Sequence, residues 1–374
     1  MHQICTIVAT NYIPQALAFL ESFRKFDEVT PCTILVIDAS SIDITCDSQT
    51  NFVFTNSLPI DPLILESMYL YYDQVELATS LKPFLLRHLL KSGATTATYI
   101  DPDTQIYSSL EHIFNLSLES NAVLTPHRYS PLPKHADKFY SEKTFLKYGT
   151  YNLGFISVSQ SSASLLDWWS EKLIFDSTRF INDDVFTDQK WANQFPSYFE
   201  CLIYKGPEIN IAPWNLDERI LSIVDEKIYS CGIPVVMIHF SQMSSLLAKG
   251  TDSNLWEATL QENEADNQSL EIISKLTGDY KAKLLFYRSF DFKFSPVEFK
   301  SNVNLSVYYR KYIRKSFISG HEVDVGLRAK LRRSLATIKF FDSSQTIDAL
   351  SKYFLPETTK LLNYFLSKAF RRTF

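Results

Sequence analysis

The feature that most constrains this chain is a repeated alternation of short apolar runs with segments of helical spacing. Apolar runs of strand length occur at residues 4–9, 33–37, 52–54, 97–100 and 122–125, most of them closed by polar residues. After the first run, Pro14 suits the opening turn of a helix, and Ala16, Leu17, Leu20 and Phe23 recur at helical spacing. Residues 62–72 and 76–91 also read as helices, and the pattern resumes with a strand at 151–158 and a helix at 164–175. Further strands are expected at 208–212 and 235–238. This order predicts an α/β fold: a mainly parallel central sheet flanked by helices. Ligands of such sheets bind outside the carboxyl ends of the strands. Asn11, Asp38 and Asp101 each lie just past such an end, so topology alone gathers polar side chains on one edge.

Only 9 of the 374 residues are Gly, and neither a Walker-type nor a dinucleotide-type glycine loop occurs. Binding of ATP or NAD through those loops is therefore excluded. Met1-His2-Gln3 lacks the basic start of a secretory signal. No stretch reaches the ~18 apolar residues of a membrane span. The five Cys contain no CxxC pair, which fits reduced thiols and a cytoplasmic protein.

The formal charge of −5 conceals a segregation. Residues 300–374 hold 15 Lys/Arg against 5 Asp/Glu, which leaves 22 basic and 37 acidic residues in the first 299. Beyond about residue 250 the alternation gives way to helical spacing. The expected organisation is an α/β region at 1–250 and a basic, mainly helical region at 251–374. Leu327, Leu331, Leu335 and Ile338 line one face of a basic amphipathic segment, and residues 361–370 suggest another. These faces suit packing against the body or a second subunit, or peripheral contact with the inner, anionic membrane surface. Aromatic residues are too scattered for a nucleic-acid stacking platform, so no nucleic acid is expected as a partner.

Tyr99-Ile100-Asp101-Pro102-Asp103 is the most informative local motif. Two carboxylates one residue apart, on a turn after a buried strand, can share a divalent cation. Mg²⁺ and Mn²⁺ take oxygen ligands and can retain substrate phosphates among them. The plainer alternative is a surface turn capped by Asp. A phosphatase-type nucleophile loop is a second alternative, but Gln105 stands where that loop has Thr or Val. His239 closes a downstream strand, and imidazole suits Mn²⁺.

Taken in order, these residues resemble a GT-A-fold glycosyltransferase, most similar to glycosyltransferase family 8, the glycogenin-like enzymes and their bacterial relatives. The resemblance rests on ICTIVATNYIP from residue 4, LVIDA from 35, LATSLKPFLLRHLL from 77 and ATTATYIDPDT from 94. It continues through YNLGFISVSQ from 151, FTDQKWAN from 186 and MIHFS from 237, spanning about two thirds of the chain. Pro102 stands where the family usually has Ala, Ser241 follows His239-Phe240, and no Lys-Pro-Trp follows the His.

The resemblance implies metal-dependent transfer of a sugar from a nucleotide-diphosphate-sugar donor, with a UDP-sugar favoured and anomeric configuration retained. A glycan or lipid-linked acceptor is implied, in polysaccharide or glycoconjugate synthesis. Asp101, Asp103 and His239 are the expected ligands of Mn²⁺ or Mg²⁺. Thr10 and Asn11 line the nucleotide cleft, and Asp38 accepts from base or ribose. Lys82 reaches the diphosphate, with Thr79 on the same helix face, and Asp101 also holds ribose or metal. Asn152 and Gly154 lie against the donor sugar. Asp188 and Gln189 are the expected catalytic pair, and Trp214 and Asn215 the acceptor wall.

Overall fold

The computed structural model describes residues 1–132, 141–179, 184–241 and 265–297, together with Arg310 and Arg314. β1 (His2–Val8) buries its last five residues, and a single 3-10 turn, Thr10–Tyr12, leads into α1 (Ile13–Arg24) with Pro14 in its first turn. Strands β2 (Cys32–Val36), β3 (Ala39–Asp43) and β4 (Thr50–Phe54) follow, then helix α2 (Pro62–Tyr71). The single helix expected over 76–91 is two helices, α3 (Gln74–Ser80) and α4 (Lys82–Lys91). Pro83 has no N–H to continue the first helix and sits instead in the opening turn of the second. Asp73 and Glu76 close a capping box on α3.

Next come β5 (Thr96–Ile100), β6 (Thr104–Ile106), α5 (Glu111–Leu118), β7 (Ala122–Pro126), α6 (Glu142–Tyr148) and β8 (Tyr151–Ser159). The chain continues through α7 (Ala163–Phe175), α8 (Phe195–Tyr198), β9 (Cys201–Ile203) and the antiparallel trio β10 (Leu221–Val224), β11 (Lys227–Ser230) and β12 (Ile233–Pro234). β13 (Met237–His239), α9 (Asn267–Arg288) and β14 (Lys293–Pro296) complete the described elements.

The central sheet has seven strands in the order β4-β2-β1-β5-β8-β7-β9. Neighbours are parallel except where β8 runs antiparallel to both β5 and β7. The expected α/β fold, with a mainly parallel sheet flanked by helices, is therefore present. β1, β2, β5, β7 and β8 are buried along nearly their whole length, as central strands with helices on both faces require. Ile4, Phe19, Phe23, Ile34, Ile100, Val123 and Phe155 share one apolar core. A second cluster joins Ala18, Ile211, Ile238, Phe240, Ile273 and Tyr280, with the Phe240 and Tyr280 rings stacked at 4.5 Å.

Two small pairings matter for the edge of the sheet. β6 pairs antiparallel with β13, and His239 stands opposite Thr104. Residues 208–212, expected as a strand, are irregular and contribute one bridge, Ile211 to Ile238. The departure has a local cause: Asn210 takes a left-handed conformation, φ 56°, which a strand does not accommodate.

The chain divides into two compact units, Met1–Lys300 and Ser301–Phe374, so α9 belongs to the first. The amphipathic segments anticipated around 327–338 and over 361–370 lie outside the described residues. Among the described residues no helix is long and apolar enough to cross a membrane.

Candidate active site

The turn after β5 carries Asp101 and Asp103 at the C-terminal edge of the sheet. The Asp101 N–H donates to the Gly154 carbonyl at 2.8 Å, and the Thr104 hydroxyl donates to the Asp101 carbonyl at 2.9 Å. Phe240 N donates to the Asp103 carbonyl at 2.8 Å and His239 N to Ile211 O at 2.8 Å. Residues 136 positions apart are thereby fixed together by backbone bonds before any side chain is considered. His239 Nε2 lies 3.1 Å from Asp103 Oδ1 and 3.7 Å from Asp101 Oδ2.

One ligand atom from each of Asp101, Asp103 and His239 falls within 4.8 Å of the others, close enough that the three could share a divalent cation. The His239 ring is 4% exposed, so burial opposes its protonation. The Asp103 and Asp101 carboxylates outweigh that burial and hold its pKa above the ordinary value.

A second ionic group lies beside the first. Lys82 Nζ pairs with Asp188 Oδ2 at 2.8 Å, donates to Leu153 O at 2.7 Å and stands 3.7 Å from Asp101 Oδ1. It also lies 4.4 Å from the centre of the Tyr99 ring, whose hydroxyl donates to Asp101 Oδ1 at 2.6 Å. The side chains of Lys82 and Asp188 are each 3% exposed. Burial opposes the Lys82 ammonium, but Asp101 and Asp188 overcome it and raise its pKa. Burial also pushes the Asp188 carboxyl upward, against the stabilising Lys82 charge.

The other expected residues fall into place unevenly. Gln189 lies next to this group. Its Oε1 accepts from Leu153 N at 3.3 Å and its Nε2 donates to Tyr148 O at 3.0 Å. Asn11 is exposed on the turn after β1, and Thr10 is half-buried. Asp38 is tied to that turn: its two oxygens accept from Thr10 N at 2.7 Å and Thr10 Oγ1 at 2.9 Å, so it serves first as a clamp. Lys82 faces inward, toward Asp188 and Leu153, where a free diphosphate-binding ammonium was expected. Thr79 does not join the cluster. Its hydroxyl donates to the Val75 carbonyl and meets Ser177 Oγ at 3.0 Å, because the helix break at Leu81 separates it from the Lys82 face.

Trp214 and Asn215 are not an open wall either. Trp214 is 5% exposed, edge-on to the rings of His127 at 5.4 Å and His239 at 5.5 Å. Asn215 is fully buried and closes a turn by accepting from Ala212 N at 2.9 Å and donating to His127 O at 3.0 Å. The space beside Gly154, expected to receive the sugar, is filled by protein. A Cβ there would lie 2.5 Å from His239 Cε1 and 2.7 Å from Asn152 Oδ1.

Three participants escaped the sequence reading. Tyr99 was read only as strand, His127 follows β7 unremarked, and Asn210 was hidden inside an expected strand. Asn210 did carry a signal, since Asn is among the few residues that enter left-handed conformations.

No family model matches the chain. Over 247 residues, 63% of this chain and 80% of the relative, it is 26% identical to YfnF of Bacillus subtilis (strain 168), an uncharacterized protein. It is 23% identical over 254 residues to YfnD of the same strain, covering 65% of this chain and 78% of the relative, likewise uncharacterized. Among solved structures it is similar to the galactosyltransferase LgtC in complex with donor and acceptor sugar analogs, at 13% identity and TM-score 0.42. That similarity covers 70% of this chain and all of LgtC.

Proposed function

We propose that this chain is a metal-dependent GT-A-type glycosyltransferase. It would move a sugar from a nucleotide-diphosphate donor, a UDP-sugar first among them, to a glycan or glycoconjugate acceptor with retention of configuration. The observation that carries the reading is the Asp101, Asp103 and His239 cluster at the C-terminal edge of the sheet, flanked by the buried Lys82–Asp188 pair. Two carboxylates and one imidazole fit Mn²⁺ or Mg²⁺, and every proposed ligand falls within residues 1–250.

Cleavage of the anomeric C–O bond builds positive charge on the sugar and negative charge on the diphosphate. Asp101, Asp103 and His239 would hold a divalent cation, which would supply Lewis-acid stabilisation of the leaving diphosphate. Asp188 would place a buried carboxyl beside the reacting centre, and Lys82 orients it and favours its charged form against burial. Gln189, neutral and bonded to the β8 backbone, positions a dipole next to it without acting as a strong nucleophile.

The test is nucleotide release from a panel of UDP-, GDP- and TDP-sugars with Mn²⁺, before and after chelation. Metal-dependent release from one donor, accelerated by an acceptor glycan, supports the proposal. Release of phosphate from simple monoesters, or binding of donor without turnover, overturns it.

A further inference from the structure

The side chains behind the metal cluster form one hydrogen-bonded chain. His127 Nδ1 lies 3.2 Å from the Thr150 carbonyl, and His127 Nε2 lies 3.2 Å from Asn152 Nδ2. Asn152 Oδ1 accepts from Gly154 N at 3.0 Å and from Asn210 Nδ2 at 3.1 Å. Asn210 Nδ2 also donates to Thr125 Oγ1 at 2.8 Å, and Asn210 Oδ1 lies 3.3 Å from His239 Nδ1.

Two backbone groups set the direction of every link. A carbonyl only accepts, so Thr150 O requires the proton on His127 Nδ1 and leaves Nε2 as an acceptor for the Asn152 amide. A backbone N–H only donates, so Gly154 N independently requires Asn152 to present Oδ1. That oxygen in turn requires the amide nitrogen of Asn210, which leaves Asn210 Oδ1 to accept from His239. The His239 proton must then sit on Nδ1, and the Nε2 lone pair faces the carboxylates. Asn210 is 1% exposed, and both of its amide hydrogens are used.

We infer that Asn210, anchored through Asn152 and His127, is the positioning residue that presents the His239 Nε2 lone pair to the Asp101–Asp103 cation site. The inference rests on the proposed reading of those three side chains as metal ligands. It also moves Asn152 from a sugar contact to a support for the site. Outer partners of metal-bound histidines fix tautomer and ring orientation in this way.

The test is Mn²⁺ affinity, read from the free-ion EPR signal, in the full chain and two variants. Asn210→Gly removes the acceptor, and at φ 56° glycine adds no backbone strain. Its Kd should rise about tenfold or more. Asn210→Asp keeps the acceptor toward His239; both amide donations are lost, but the Thr125 hydroxyl can donate to the new oxygen instead, so its Kd should stay within about threefold of wild type. A Kd for a folded Asn210→Gly within about twofold of wild type overturns the inference while leaving the metal reading intact. Absence of Mn²⁺ binding by the wild-type chain sinks both. Should the Gly variant fail to fold, the imidazole ¹⁵N spectrum of the wild-type chain decides. His127 must be protonated at Nδ1 alone, and a proton on Nε2 overturns the inference.

Discussion

The tightest packing at the site is at Gly154, and it yields the sharpest test. A Cβ at this position would stand 2.5 Å from His239 Cε1, 2.7 Å from Asn152 Oδ1 and 2.8 Å from His239 Nδ1. Ordinary contact begins near 3.4 Å, so the overlap with Cε1 is about 0.9 Å. Neither side yields easily. β8 is hydrogen-bonded on both edges, and the Gly154 carbonyl accepts from Asp101 N at 2.8 Å. The His239 ring is held by Asn210 and Asp103 and meets Trp214 edge-on at 5.5 Å.

Overpacking of a rigid core typically costs about 1–3 kcal/mol. Losing a buried bond to relieve it adds about 1 kcal/mol. Gly154→Ala should therefore destabilise the chain by about 2–4 kcal/mol, a fall in Tm of about 5–10 °C for a body of this size. Because the yielding group is a proposed ligand, Mn²⁺ affinity should fall with it. Thermal unfolding followed by circular dichroism, with Mn²⁺ titration at a temperature where both proteins are folded, reads both effects. An unchanged Tm together with unchanged Mn²⁺ affinity would refute the reasoning, since no relaxation could then be absorbing the overlap.

Other consequences follow from the same geometry. Asp103→Ala should abolish metal-dependent donor turnover while shifting metal-free melting by only a few degrees; normal Mn²⁺-dependent activity in this variant removes Asp103 from the ligand set. Lys82→Met leaves Asp188 buried without its cation and should cost about 3–5 kcal/mol by urea unfolding, with part of the loss recovered in Lys82→Met/Asp188→Asn. Burial pushes the His127 pKa down from 6.5 to about 4, so the unfolded chain binds a proton that the native state refuses. That contribution to stability is complete above pH 6.5 and shrinks as pH falls toward 4, by about 2–3 kcal/mol at pH 4.5. His127→Gln should flatten this part of the urea-midpoint profile between pH 7 and 4.5, and an unchanged slope would count against the neutral imidazole.

The strand framework was legible because its apolar runs are short and bounded. β1, β2, β5 and β8 begin and end within two residues of where the pattern places them. The carboxylate pair was legible for the same reason, since a turn after a buried strand must face an edge. Two kinds of feature were not. The break between α3 and α4 turns on one proline in a strongly periodic run, and periodicity averages over it. The pairing of β6 with β13 joins three-residue segments that carry too few residues for any period. Side-chain direction was the larger loss. Spacing places Lys82, Trp214 and Asn152 near the edge, but only packing decides that each points inward.

That inward turn of Lys82 bears on how charge is managed. Its ammonium is committed to Asp188 and the Leu153 carbonyl and is 3% exposed. Asp101, Asp103 and Asp188 carry three negative charges, and Lys82 offsets one. A diphosphate approaching this edge would meet net negative charge from the side chains alone. Among the described residues of this edge neither Lys82 nor a glycine loop supplies the opposing field, and in the proposed reaction a cation on Asp101, Asp103 and His239 would supply it. A proton on His239 Nε2 competes for the same lone pair, so cation uptake must release that proton and tighten as pH rises. The raised pKa of His239 and the proposed metal dependence are then two aspects of one carboxylate field.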